Sequence, residues 1–362
     1  PLRPVVQRMT DIGHLHPYRD QSRPTWSVRR LEKAIRGGLG SGLVEHLRAT
    51  RRPLLTTYFV PAIAADLAEH DEVHLVVTDS DIHRVWVPRN PRASRIRYYT
   101  PSTRARRRLE AYGVAPERVS MTGFPLPPRL LGPDLGTLKR NLAARIVRLD
   151  PRAAFRGTFD AELHAFLGPL PTREELEPPH LVYAVGGAGA QADLPARFLP
   201  GLAEPIRQGR WKLTLVAGIR PEVRDTLAAA ARATGLEEHV DILWRKDLPA
   251  YFTAFDELMV GTDILWTKPS ELTFFGALGI ALVLGAPVGS HEHANRRWAR
   301  EHGAALKQRD PRFAHHWLEE WLDDGVLAAA AWSGYLRLPK FGLERIHDHV
   351  QPDPTRSLQD AS

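Results

Sequence analysis

From residue 53 onward, short apolar runs alternate with helix-patterned stretches, and this alternation constrains the fold more than any other feature of the chain. PLLTTYF (53–59), VHLVVTD (73–79), IRYYT (96–100) and RVSMTG (118–123) read as strands, with helices predicted over 61–70, 102–112 and 136–148. After a passage rich in Pro, Gly and charge (150–180), LVYAV (181–185), WKLTLVAG (211–218), VDILW (240–244) and IALVLGAPV (280–288) read as buried strands. Helices are predicted from about 194, over 221–235, over 247–255 and over 311–331. Strands separated by helices cannot form hairpins; they pair in parallel through crossovers, which implies an α/β fold with doubly wound sheets. A length of 362 residues accommodates two such domains. The expected division is 1–165 and 166–335, with 336–362 as a tail packing back on the first domain.

Two strand-to-helix turns in the second half carry the chemistry. Thr262–Thr267 is extended and runs into Lys268-Pro269-Ser270, after which a helix is expected to start, with Ser270 as its cap and to stop at Gly279. A second polar turn brings His291, Glu292 and Asn295 into the following helix. The expectation is that Lys268, Ser270, Glu271, His291, Glu292 and Asn295 gather at one edge of a sheet, beyond the carboxyl ends of its strands, where open α/β folds bind ligands. A cation and open helix-start amides suit a phosphate; carboxylates suit sugar hydroxyls.

The loop Gly186-Gly187-Ala188-Gly189-Ala190-Gln191 follows a strand and precedes a helix, the context that a phosphate cradle requires. It is not G-x-G-x-x-G and no acidic residue ends the next strand, which disfavours a nicotinamide site. The other glycine cluster, GGLGSG (37–42), has no strand before it and no Lys-Ser/Thr after it, so it reads as a helix break. Asp79-Ser80-Asp81 matches the Asp-x-Asp of metal-dependent sugar transferases in three residues only, with no further acidic ligand beside it. His14 lies in an irregular stretch, where an ordinary loop histidine stands against a catalytic or metal role. Arg104, Arg106, Arg107 and Arg108 form the one dense basic run, on a helix that faces solvent or lipid. The net charge of +7 suits phosphorylated substrates or anionic headgroups, although a bias of composition towards arginine explains it equally. The chain has no cysteine, which excludes disulfides and thiolate metal sites, and nothing in it approaches a membrane-spanning run.

With these elements in place, the chain resembles the GT-B glycosyltransferases, in particular the group that includes the lipid II-forming N-acetylglucosaminyltransferase and monogalactosyldiacylglycerol synthase. The likeness rests on the 186–191 loop, on VDILW with Thr267-Lys268-Pro269-Ser270, and on His291-Glu292-His293-Ala294-Asn295 ahead of Gly303-Ala304-Ala305. Val77-Thr78-Asp79 with His83 and Trp86, and the strand ending in Gly123-Phe124-Pro125, extend it into the first half. The resemblance implies two Rossmann-like domains facing across a cleft, the first taking the acceptor and the second a nucleotide diphosphate sugar, usually a uridine one. Gly187, Ala188, Gly189 and Gln191 would cradle diphosphate and sugar, and the backbone at Leu243 and Trp244 would meet the base. Lys268 and Ser270 would lie near the phosphates, Glu292 and Asn295 near sugar hydroxyls or phosphate, with His291 beside them. The chain departs from the group at two points. Gly276 stands where the ribose-gripping Glu is expected, leaving Glu271 as its substitute or as a mere helix-start residue. The first strand and the Gly-x-Gly-His loop that supplies a base do not occur in this stretch, whether they lie before Pro1, have diverged or never existed, which leaves Asp79 and His83, with His14 behind them, to activate the acceptor.

The resulting expectation is a metal-independent hexosyl- or N-acetylhexosaminyltransferase that uses a UDP-linked donor and no cofactor. It would be cytoplasmic, with an unidentified acceptor, contact with anionic membrane and no nucleic-acid partner. The alternatives are a nucleotide-sugar epimerase or hydrolase of the same fold, and a nucleotide-sugar-binding protein without catalysis.

Overall fold

The computed structural model describes residues 20–186 and 189–351, which form two compact units. The first comprises residues 20–126, together with Val288–Asn295 and residues 339–351. Its sheet contains β1 (Leu54–Thr56), β2 (Val73–Val76), β3 (Arg97–Thr100) and β4 (Val119–Met121), all parallel and in sequential order. Alternation along the strands divides the sheet into two faces. Leu75 and Tyr98 join the main core with Ile63, Ala105 and Leu109 from the helices Phe59–Leu67 and Thr103–Ala111. Val76 and Tyr99 pack against Ile346 of the helix Gly342–Val350. The last part of the chain, expected to be less regular, thus holds a nine-residue helix on this sheet.

The second unit comprises Pro127–Pro287 and Arg296–Leu338. Its six parallel strands are β5 (His180–Ala184), β6 (Lys212–Gly218), β7 (Val240–Trp244), β8 (Ile264–Thr267), β9 (Ala281–Leu284) and β10 (Ala305–Lys307), in the order β10-β9-β8-β5-β6-β7. This is the order 6-5-4-1-2-3 of a doubly wound nucleotide-binding sheet. β5, β8 and β9 are buried at every residue, as expected of parallel strands covered on both faces. The sequence reading missed β10, whose three residues form a strand only by pairing with β9.

Two expectations are corrected. The division falls after Leu126, not at 165, because the helix Gly136–Arg148 is tied to the start of β8. Arg148 grips Asp263 at 2.8 and 2.7 Å, while buried Arg145 donates to the carbonyls of Thr262 (2.7 Å) and Leu278 (2.9 Å). Asp263 also accepts the His180 amide at 2.8 Å, joining β5 to the cluster. Second, Glu271–Leu278 is a 3₁₀ helix, and the Ser270 side chain does not cap it. Gly276 itself is closely packed: a Cβ there would press on Leu282, Leu338 and Ala304 at 3.0 to 3.4 Å. The helix Val326–Arg337 passes so close that a Cβ on Gly334 would strike the Gly276 carbonyl.

Candidate functional site

The residues singled out from the sequence fall into two groups, one in each unit. In the second unit the chain leaves β5 towards β6 and β7, then returns to build β8, β9 and β10 on the other side. The carboxyl ends of β5 and β8 therefore flank the point where strand order reverses, the place where open α/β sheets bind ligands. The Gly186 loop leaves β5 here and Lys268 leaves β8. The Lys268 side chain lies so close to Gly186 that any Cβ at that position would run into it. A tight turn follows, in which the Gly189 amide donates to the Gly186 carbonyl at 2.7 Å and Gly189 has φ +77°.

Gln191 closes this loop in the left-handed region (φ +67°), a conformation that side chains other than Gly, Asn or Asp rarely adopt. Two contacts hold it there: the Tyr183 hydroxyl donates to its carbonyl at 2.6 Å, and its own amide donates to the Ala286 carbonyl at 3.0 Å. Gly285 leaves room for this bridge, since a Cβ would meet the Gln191 amide oxygen at 3.1 Å. The residues on either side of the loop thus meet the ends of β5, β8 and β9, with the half-buried Lys268 side chain against Gly186. Gly187 and Ala188, predicted to cradle the diphosphate, lie outside the described residues, as does His14. Of the remaining residues in this unit, Glu271 is exposed and Ser270 buried. Leu243 turns its side chain inward, and Trp244 ends β7 with the Arg224 guanidinium 4.7 Å from its ring centroid.

The second group, His291, Glu292 and Asn295 with Asp79 and His83, lies in the first unit. The helix Ser290–Glu301 begins at Ser290, so His291, Glu292 and Asn295 occupy its first turns, and Val288–Asn295 packs on the turn after β2. Asn295 is completely buried. Its carbonyl oxygen accepts the Ser80 amide at 2.7 Å and its amide nitrogen donates to Asp79 Oδ1 at 2.8 Å. Ser102 holds the same turn from the other side, donating to the Ser80 carbonyl at 2.7 Å while capping the helix Thr103–Ala111. Buried Glu292 accepts the Val288 amide at 2.6 Å. Both side chains predicted to meet a donor sugar or phosphate are thus engaged in holding the chain. His83 pairs with Ser290 Oγ at 3.1 Å and meets the His291 ring edge-on, with centroids 6.4 Å apart. Ser290 is the residue the sequence reading missed; its only signal was its place beside His291.

The neighbouring Asp81 is fully buried. One oxygen accepts from Arg108 Nε (2.8 Å) and the Ile82 amide (3.0 Å), the other from Arg104 Nε (2.7 Å) and a terminal nitrogen of Arg108 (2.9 Å). This ion-paired role replaces the Asp-x-Asp metal reading, and it also takes two members out of the basic run. Among the described residues no group of three or more His, Asp or Glu side chains is placed to hold a metal ion. No helix among them is long and apolar enough to cross a membrane.

No protein-family model matches the chain. In sequence it is similar to the processive diacylglycerol beta-glucosyltransferase of Bacillus subtilis (strain 168), with 24% identity over 234 residues, 64% of this chain. The match takes in 49% of that protein, so the chain spans about half the length of its curated relative. In fold it is similar to the UDP-GlcNAc 2-epimerase of Neisseria meningitidis solved with UDP-GlcNAc (TM-score 0.52, 13% identity, 93% of this chain and 83% of that one). It is likewise similar to MnaA of S. aureus solved with UDP (TM-score 0.54, 12% identity, 91% and 82%). The fold is of the GT-B type, two parallel-sheet α/β domains, and the resemblance to GT-B glycosyltransferases read from the sequence holds.

Proposed function

We propose that the protein is a glycosyltransferase that moves a sugar from a UDP-linked donor to an acceptor hydroxyl. The observation that carries this reading is the loop after β5, held over Lys268 and bridged by Gln191 to the end of β9 at the switch point of the second sheet. Amides of a tight turn beside an ammonium neutralise a diphosphate both when it is bound and as it leaves. Asp79 is the base for the acceptor, and His83 lies four residues further along the same turn. Asp79 takes the proton of the acceptor hydroxyl as its oxygen bonds to the anomeric carbon. The bond from that carbon to the diphosphate oxygen breaks, and its electron pair leaves with UDP. Transfer proceeds without a metal or cofactor. A diacylglycerol hydroxyl is the first acceptor to assay, because the relative in B. subtilis is named for it; the net charge of +7 suits work at an anionic membrane surface.

Calorimetric titration with UDP, UDP-glucose, UDP-GlcNAc and a dTDP-sugar, on the unsubstituted protein and on Lys268→Ala, tests the donor assignment. The expected result is UDP binding weakened about tenfold or more by the substitution, the loss of one charge-assisted contact. Silence from every nucleotide with the protein folded would overturn it. A second reading, a nucleotide-sugar epimerase, has in its favour that the solved structure from Neisseria meningitidis bears that name. Incubation with UDP-GlcNAc distinguishes the two: epimerisation inverts C2 without releasing UDP, and transfer releases UDP.

A further inference from the structure

We infer that Asn295 is a positioning residue, acting through Asp79 rather than on the donor sugar. This inference rests on the transferase reading above, in which Asp79 is the base. The Ser80 amide can only donate, so the Asn295 atom facing it is the carbonyl oxygen, and the amide nitrogen must then face Asp79. The two bonds, 2.7 and 2.8 Å, make one planar side chain measure the carboxylate against the backbone of the very next residue. That backbone is immobilised in turn, since Ser102 holds the Ser80 carbonyl and Asp81 is locked between Arg104 and Arg108. One oxygen of Asp79 is thereby assigned to Asn295, fixing the plane in which the carboxyl group receives a proton. The same helix start holds His83 through Ser290, so both candidate acid–base groups are set by a single segment, 290–295.

The contact spans 216 positions of sequence, and its chemistry permits an exchange experiment. Asn295→Asp keeps the acceptor for the Ser80 amide but sets two carboxylates against each other. The exchanged pair Asp79→Asn with Asn295→Asp restores an amide-to-carboxylate bond with donor and acceptor reversed. Melting temperature, UDP affinity and release of UDP from UDP-glucose in the presence of diacylglycerol in phosphatidylglycerol vesicles would be measured for both. The expected outcome is that Asn295→Asp lowers melting temperature and turnover, the latter about a hundredfold, with UDP affinity unchanged. The exchanged pair is expected to regain melting temperature but not turnover. Recovery of turnover together with stability would overturn the inference, because the pair would then be a structural clamp alone. So would an Asn295→Asp protein with undiminished turnover, or one in which UDP affinity is what falls. Failure of the unsubstituted protein to bind or release UDP would instead overturn the transferase reading on which the inference stands.

Discussion

The two sheets are built from the same strand–helix–strand unit, yet they end as different devices. In the first, β1 to β4 lie side by side in chain order. In the second, the order turns back at β5 and continues outward from β8. Reversal separates the crossovers on the two sides of β5 and β8 and leaves their carboxyl ends as the place where loops diverge, which a sequential sheet does not possess. The candidate donor loop lies at that reversal, whereas the polar cluster of the first unit is made by a turn, a helix cap and a segment of distant sequence. The same repeated unit therefore yields a ligand crevice by topology in one sheet and a polar site by side-chain contact in the other.

Beneath this difference the units share a device, a fully buried aspartate clamped by two arginines: Asp81 by Arg104 and Arg108, Asp263 by Arg145 and Arg148. Removing the carboxylate leaves buried guanidinium charge uncompensated, so Asp81→Ala and Asp263→Ala are each expected to cost about 3–5 kcal/mol. Urea unfolding followed by fluorescence and by circular dichroism would measure it. The comparison breaks if one of the two proves neutral.

Acid acts next, on a buried histidine in each unit. His180, bonded to Thr214 at 2.8 Å, is pushed down from the ordinary 6.5 to about 4, first by burial and then by Lys212. The unfolded chain binds the proton that the fold refuses, so this contribution is complete above pH 6.5 and is lost as the pH falls from 6.5 towards 4, up to about 3 kcal/mol. In the first unit His74, bonded to Tyr99 at 2.7 Å, is also lowered, by burial ahead of Arg97. His180→Gln should flatten the acid limb of stability between pH 6.5 and 4; an unchanged limb would remove His180 from the account. The smallest effect belongs to Arg106, whose pairing with Glu110 at 2.9 Å is exposed. Arg106→Ala should change stability by about 0.3–0.5 kcal/mol, against the large cost at Asp81 within the same helix cluster.

Much of the fold was legible from short-range pattern. Nine of the ten strands among the described residues overlap runs read as extended, because strands buried on both faces are written as continuous apolar residues. The loop at 186–191 was legible because a strand, three glycines and a helix start are local features. Membership of a unit was not. The segment 136–148 reads as an ordinary amphipathic helix, and nothing nearby tells that Arg145 and Arg148 belong to Asp263, more than a hundred positions away. Asn295 and Glu292 look like surface polar residues at helical spacing; their burial depends on what packs over them.

By itself, then, the sequence determined the alternation of elements, the parallel sheets and the chemistry of Lys268, Gln191, Asp79 and His83, all set by side-chain type and spacing of a few residues. Tertiary structure decided the partners. It placed Asn295 against Asp79 and Ser80, Ser290 against His83, and Lys268 over Gly186. Such pairings are selected because a buried polar group without a partner is costly, and which partner meets it depends on contacts across the whole chain rather than on neighbours along it.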